Sequence, residues 1–233
     1  MERFFTKSTY QYGEIMSNLI TDFYTKLDMN SNILFVRTPT TGIFLDDVLK
    51  NKINVTRIIY DTHRVKKFER DPETIITKHK YLPNILSEIN KKYDLICVDS
   101  YHEYFYSNSD FNLLYSFLTD NGLIISHDCY PSSEKCAQPK YCEGEWSGET
   151  YIAFIDFAYN NPELFYGLLK IDTGIGIISK RPIDGLNKNA NKKKQEKLLS
   201  LKNNPNNETN ENVYHYFIEN STNLTNVINF FSN

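Results

Sequence analysis

The chain has 233 residues and a mass of 27.3 kDa, the size of one medium domain with an appendage. Hydrophobic residues at 40% and charged residues at 24%, with 17 Tyr and 15 Phe to bury, exclude disorder over the whole length. A formal charge of -3 and a pI near 6.0 exclude the broad basic surface that nucleic-acid binding uses.

In chain order, Tyr12–Leu27 carries Ile15, Leu19, Ile20, Phe23 and Leu27 at helical spacing, which predicts a helix packed on a sheet. Strands are predicted at Asn32–Arg37, Thr56–Asp61, Glu73–Lys78, Tyr93–Asp99 and Gly122–Asp128, with turn signals at Asp71-Pro72 and Asn121-Gly122. Helices are predicted between them at Gly42–Asn51, Tyr81–Lys91 and Asn108–Thr119. Gly148–Asn160 reads as a further helix, and Leu164–Ile171 with Gly174–Ser179 as a closing hairpin. This alternation is that of an α/β domain with a mainly parallel sheet.

The composition changes at Arg181-Pro182. Fourteen asparagines and the cluster Lys192–Lys194 follow, with few apolar residues before Val213–Phe231. The expected organisation is an N-terminal helical segment (1–31), an α/β domain (32–182) and a polar linker with short C-terminal helices (183–233). The lysine cluster reads as a solvated helix face. No apolar run approaches the roughly 18 residues that span a bilayer, and Met1–Met16 has no signal-peptide core, so a soluble cytosolic protein is expected. The four cysteines are too sparse for a disulfide scaffold, and Cys129, Cys136 and Cys142 lack the close pair of a structural zinc site. Free thiols are expected.

In a doubly wound sheet, ligands sit beyond the carboxyl ends of the strands. The polar residues there are Arg37 through Gly42, Asp61, Asp99 with His102, and His127-Asp128. Asp61 stands where a carboxylate can accept from a ribose diol, or it caps a turn. Thr38, Thr41 and Gly42 lie where a cofactor's charged end meets the helix beginning near Ile43.

If the strands ending at Asp99 and Asp128 are neighbours, about 4.8 Å apart, their carboxylates converge on a volume that suits one magnesium ion. An imidazole from His127 would shift the preference toward manganese, iron or zinc. His102, three residues past Asp99, can accept a proton from a substrate hydroxyl. Taken singly, each has a plainer reading: a packed His127, a capping Asp128, an exposed His102. Their joint placement at two strand ends favours a site. Trp146 offers either an apolar wall for a sugar or core packing.

The segment Tyr93–His102, with Asp99-Ser100-Tyr101-His102 at its end, resembles the fourth strand of class I S-adenosylmethionine-dependent methyltransferases, which ends in Asp-Gly-x-His. Asn121–Asp128 is similar to their fifth strand, Gly-Gly-hydrophobic-His-Asp. Trp146–Ala153 resembles the Trp-x-Gly-x-x-x-x-Ala helix start of the macrocin-like glycan and natural-product branch, and Asp172–Ile178 its closing hairpin.

The resemblance covers roughly Asn32–Pro182. It implies a Rossmann-like, doubly wound, mostly parallel seven-stranded sheet with a C-terminal antiparallel hairpin. It also implies an O-methyltransferase acting on a sugar or small polyol hydroxyl in glycan or secondary-metabolite synthesis. The implied cofactors are S-adenosylmethionine and Mg2+. His102 would be the general base, and Asp99 and Asp128 metal ligands with His127 at a third ligand position. Asp99 would also join Thr38, Thr41, Gly42 and Asp61 around the cofactor. Trp146 would face the acceptor. The partner is a small-molecule or glycan acceptor, with no membrane and no nucleic acid, and self-association left open. The chain departs from the pattern at Phe35–Gly42, where Arg37 stands in the acidic position. The alternative is a binding or assembly protein on the same fold without methyl transfer.

Overall fold

The computed structural model describes residues 31–39, 54–60, 74–170, 173–183, 186–188, 191–205, 209–224 and 227–230. The helices expected at Tyr12–Leu27 and Gly42–Asn51, and residues Thr41, Gly42 and Asp61, lie outside them.

Five strands form the parallel part of the sheet: β1 (Ile33–Arg37), β2 (Val55–Tyr60), β3 (Thr74–Thr77), β4 (Tyr93–Asp99) and β5 (Leu118–Ser126). Their order is β3-β2-β1-β4-β5, with every pairing parallel. The hairpin strands β6 (Phe165–Leu169) and β7 (Ile175–Ser179) pair antiparallel, and β7 lies antiparallel on β5. This is the α/β, Rossmann-like, mostly parallel seven-stranded arrangement that the sequence predicts.

Apolar runs such as Ile33-Leu34-Phe35-Val36 belong to strands covered on both faces. Leu34, Val36, Ile58, Ile96, Val98, Ile124 and Ile178 face one core, and Ile33, Phe35, Leu95, Cys97, Leu123, Ile125, Ile175 and Ile177 form another.

Helix α1 (Leu82–Ile89) has Pro83 in its first turn, where the missing amide costs nothing, and ends at Asn90 with φ 48°. Leu82 and Leu86 are its buried stripe. Helix α2 (Tyr104–Tyr115) starts and stops four residues earlier than the expected Asn108–Thr119. The reason is β5, which begins at Leu118 rather than Gly122. Leu118 pairs with Tyr93, and a bulge then restores the ladder at Leu95 and Leu123. The Asn121-Gly122 signal therefore marks a bulge inside the strand. A Cβ at Gly122 would lie 2.9 Å from the Tyr93 carbonyl oxygen, so the close approach requires glycine.

Helix α3 (Thr150–Asn160) is buried at Tyr151, Ile152, Ala153, Phe154, Ile155, Phe157 and Ala158, almost all round its axis. It lies against α2, where Phe111 meets Phe154 and Phe157 at ring-centroid distances of 5.9 and 6.0 Å. Its remaining surface is covered by α4 (Lys192–Lys202) and α5 (Glu211–Glu219), which bring Leu198, Val213 and Phe217 into the same core. Short strands continue the sheet past β6, whose outer edge is shared by β8 (Asn187–Lys188) and β10 (Val227–Asn229), with β9 (Thr222–Leu224) beyond. The composition change at Arg181-Pro182 is thus not matched by a break in packing. Lys192 and Lys193 are exposed on α4. Among the described residues, no helix is long and apolar enough to cross a membrane.

Candidate active site

Asp99 is the last residue of β4, and its register partner in β1 is Arg37. The strand order reverses between these two strands, so their following loops diverge and leave a crevice at the carboxyl edge. The Thr38 amide donates to the Asp99 carbonyl at 3.2 Å, closing the floor of that crevice. Arg37 is buried, donates from Nη1 to the Thr38 carbonyl at 2.9 Å and lies 5.8 Å from the Phe35 ring centre.

The second half of the site comes from β5. Beyond its last residue, the His127 amide still donates to the Val98 carbonyl at 3.0 Å. Asp128 then adopts φ 61°, the left-handed region that aspartate tolerates better than most residues. The amides of Cys129 and Tyr130 donate to the carbonyls of Gly174 and Thr173 at the entry to β7, at 3.0 and 2.9 Å. The antiparallel neighbour therefore fixes the turn that aims the Asp128 carboxylate.

His102 Nε2 lies 3.1 Å from Asp128 Oδ2 and 3.5 Å from Asp99 Oδ1. Its Nδ1 is 2.6 Å from the Trp146 carbonyl oxygen. A carbonyl only accepts, so Nδ1 carries a proton, and in the neutral ring Nε2 presents a lone pair to two carboxylates. That arrangement is favourable only with a proton or a cation between them. Nε2 is buried and makes no aligned hydrogen bond despite its approach to Asp128. One ligand atom each from Asp99, His102 and Asp128 falls within 4.8 Å of the others, and all three residues are buried. The two carboxylates by themselves fit a magnesium ion, and an imidazole nitrogen added to them shifts the fit toward manganese, iron or zinc.

The charges follow from the same geometry. Burial, the largest single effect, lowers the His102 pKa. The negative charges of Asp128 and Asp99 close to Nε2 and the Trp146 carbonyl at Nδ1 outweigh it and raise the value from 6.5 to about 9. Asp128 is held well below the usual carboxylate range, because His102 and His127 more than offset the upward push of burial.

No protein-family model matches the chain, and no curated protein matches it. Solved structures do resemble it. A proposed caffeoyl-CoA O-methyltransferase from Staphylococcus aureus shares 16% identity over 70% of this chain and 82% of that chain, with a TM-score of 0.49. The TDP-rhamnose 3'-O-methyltransferase of calicheamicin biosynthesis shares 10% identity over 70% and 79%, with a TM-score of 0.47. The MycE methyltransferase of the mycinamycin pathway, in complex with Mg, SAH and mycinamycin VI, shares 12% identity over 70% and 48%, with a TM-score of 0.43.

Asp99, His102, His127 and Asp128 do come together. His127 Nδ1 lies 3.0 Å from Asp128 Oδ2 and 3.6 Å from Asp99 Oδ2, while its Nε2 lies 3.3 Å from Thr173 Oγ1. Trp146 is half-buried, with its ring centre 5.3 Å from that of His102 and 5.4 Å from that of Tyr141. Its indole Nε1 donates to the Gln138 carbonyl at 2.8 Å. Thr38 is buried beside Asp99. The cysteines carry free thiols.

The structure adds residues that the sequence reading passed over. Asp110, fully buried on α2, accepts from Ser100 Oγ at 2.5 Å and from Tyr60 OH at 2.8 Å, and lies 3.0 Å from His79 Nε2. It ties the end of β2 to the segments that follow β3 and β4, next to Asp99. Ser107 Oγ donates to the Tyr101 carbonyl at 2.9 Å. A signal existed: Ser107, Asp110, Phe111 and Leu114 follow the spacing of one helix face, so two polar residues stand on a buried stripe.

Proposed function

We propose that the protein is an S-adenosylmethionine-dependent O-methyltransferase acting on a hydroxyl of a sugar or small polyol. The observation that carries this reading is the convergence of Asp99, His102 and Asp128 at the carboxyl edge of the sheet, where the strand order reverses. The motif resemblance of Tyr93–His102, Asn121–Asp128 and Trp146–Ala153 supports it.

Asp99 and Asp128 would hold a divalent ion, with His127 beside them. S-adenosylmethionine would supply an electrophilic methyl carbon whose bond to sulfur breaks as the hydroxyl oxygen bonds to it, the sulfur leaving as a neutral thioether, and the ion would supply a Lewis acid that lowers the hydroxyl pKa and offsets the two carboxylates. His102 takes the hydroxyl proton at Nε2, because the Trp146 carbonyl keeps the other ring nitrogen protonated. The carboxylates then stabilise the imidazolium that forms. By the motif resemblance, Thr38 and Asp99, with Thr41, Gly42 and Asp61, are the residues assigned to the cofactor, and Trp146 would present its ring to the acceptor.

The test is calorimetry with S-adenosylmethionine, with and without Mg2+, followed by methyl-transfer assays against sugars and nucleotide sugars. Micromolar binding and Mg2+-dependent transfer, abolished in Asp99→Asn, are expected. Absence of cofactor binding under both conditions overturns the reading. It would favour a binding or assembly role in which Arg37 and Pro39 at the end of β1 have replaced a cofactor loop.

A further inference from the structure

We infer that Lys202 and Asn210, from the C-terminal helices, are positioning residues for His102, acting through Glu149. The inference rests on the reading of His102 as part of the site.

Glu149 is a carboxylate with 5% of its surface exposed, and a buried charge is stable only when paired and hydrogen-bonded. Its Oε1 lies 2.6 Å from Lys202 Nζ at the end of α4 and accepts from Asn210 Nδ2, just before α5, at 3.1 Å. Its Oε2 accepts from the Tyr104 amide at the start of α2 at 3.3 Å. Its own amide donates to the His102 carbonyl at 2.7 Å. Glu149 therefore brackets the three residues His102 to Tyr104, gripping the chain on either side of Glu103.

The circuit closes in two further places. Lys202 Nζ lies 5.6 Å from the Tyr104 ring centre, so the ammonium that neutralises Glu149 also stacks on the residue Glu149 holds. Asn210 Nδ2 donates as well to the Ala137 carbonyl at 3.0 Å. The preceding carbonyl, that of Cys136, accepts from the amides of Ser147 and Gly148 at 3.0 and 2.9 Å. That segment carries the Trp146 carbonyl bonded to His102 Nδ1. The C-terminal helices thus reach both the main chain and the ring of His102.

A purely structural role would be to cover α3. Leu198, fully buried on α4 and with no polar side-chain atom to offer Glu149, makes that contribution and serves as the control. The experiment compares wild type, Lys202→Met, Lys202→Arg, Asn210→Ala and Leu198→Ala, each well below its melting temperature. Two readouts are used: the 15N signals of the His102 imidazole in metal-free protein, and Mn2+ affinity by electron paramagnetic resonance.

We expect shifted His102 signals and about tenfold weaker Mn2+ binding in Lys202→Met and Asn210→Ala, because His102 Nε2 lies against both carboxylates that would hold the ion, as a group just outside the ligands does. Lys202→Arg should recover most of both, while Leu198→Ala lowers stability and leaves both unchanged. Unchanged His102 signals in folded Lys202→Met and Asn210→Ala, or an equal shift in Leu198→Ala, overturn the inference. Absence of Mn2+ binding in wild type refutes the metal reading instead, and the imidazole signals then decide the positioning role alone.

Discussion

At the scale of single residues, the site depends on carboxylates that are buried and on one unusual backbone conformation. Asp128 joins the two: its charge meets His102, and its φ of 61° is one that asparagine also tolerates. Asp128→Asn should keep the fold and the turn while removing the charge. We expect loss of turnover by about 100-fold or more, together with a lower melting temperature at neutral pH, because the charge that pairs with His102 and His127 is gone. Asp128→Ala should in addition lose about 1 kcal/mol of stability from backbone strain. Activity near wild type in Asp128→Asn would remove this residue from the site. The pH dependence of the metal-free protein follows from the same contacts. The folded pKa of His102, about 9, lies above its free value of 6.5. Its contribution to stability is complete below 6.5 and is lost as pH rises through 9. The Asp128 pKa is depressed below its free value of 3.8, so its contribution is present above that value and is lost as pH falls toward the folded pKa. Urea unfolding in chelator should show stability declining on both sides of this window, and His102→Gln should flatten the alkaline limb. An unchanged alkaline slope in that variant would contradict the assignment.

At the scale of elements, the loop before α3 shows why part of the site could be read from the sequence and part could not. Strand ends were legible because polar residues follow apolar runs, and Asp99 and Asp128 stand at such boundaries. The partners that orient them were not, because they act through backbone atoms. The Trp146 carbonyl bonds His102, yet side-chain chemistry suggested only an apolar wall or core packing. Gly148 has φ 55°, and a Cβ there would lie 2.3 Å from the His102 carbonyl oxygen. Gly148→Ala must therefore both strain its own backbone and push His102 away. A cost of about 1–3 kcal/mol is expected from the φ alone. The clash should add a fall in kcat larger than the change in KM, since it displaces the proton acceptor rather than an acceptor contact. Thermal melts and steady-state kinetics check the two effects separately, and a variant with lowered stability but unaltered kcat would show that His102 tolerates the shift.

At the scale of the whole molecule, the alternation of strands and helices gave away the parallel sheet, while the composition of the last fifty or so residues concealed their place in it. Asparagine and lysine dominate there, so the few apolar residues carry no visible period. In the folded chain Leu198, Val213, Phe217 and Phe230 nevertheless belong to the same core as β1, β4 and α3. Helix α3 could have signalled this: a segment apolar on nearly every side needs cover on every side, and the α/β domain supplies only one. Phe217 tests the point. It is fully buried, with ring centres 5.0 Å from Tyr151, 5.5 Å from Tyr130 and 5.3 Å from Phe230. Phe217→Ala should cost about 3–5 kcal/mol, the usual price of emptying a large aromatic site in a packed interior. If the C-terminal helices form one cooperative unit with the sheet, calorimetry will show a single transition moved to lower temperature in the variant. A separable tail predicts a different trace: an early, small transition from the tail and a main transition left in place. The same difference decides whether α3, and with it the Gly148–Glu149 segment that holds His102, keeps its position when the C-terminal helices are loosened.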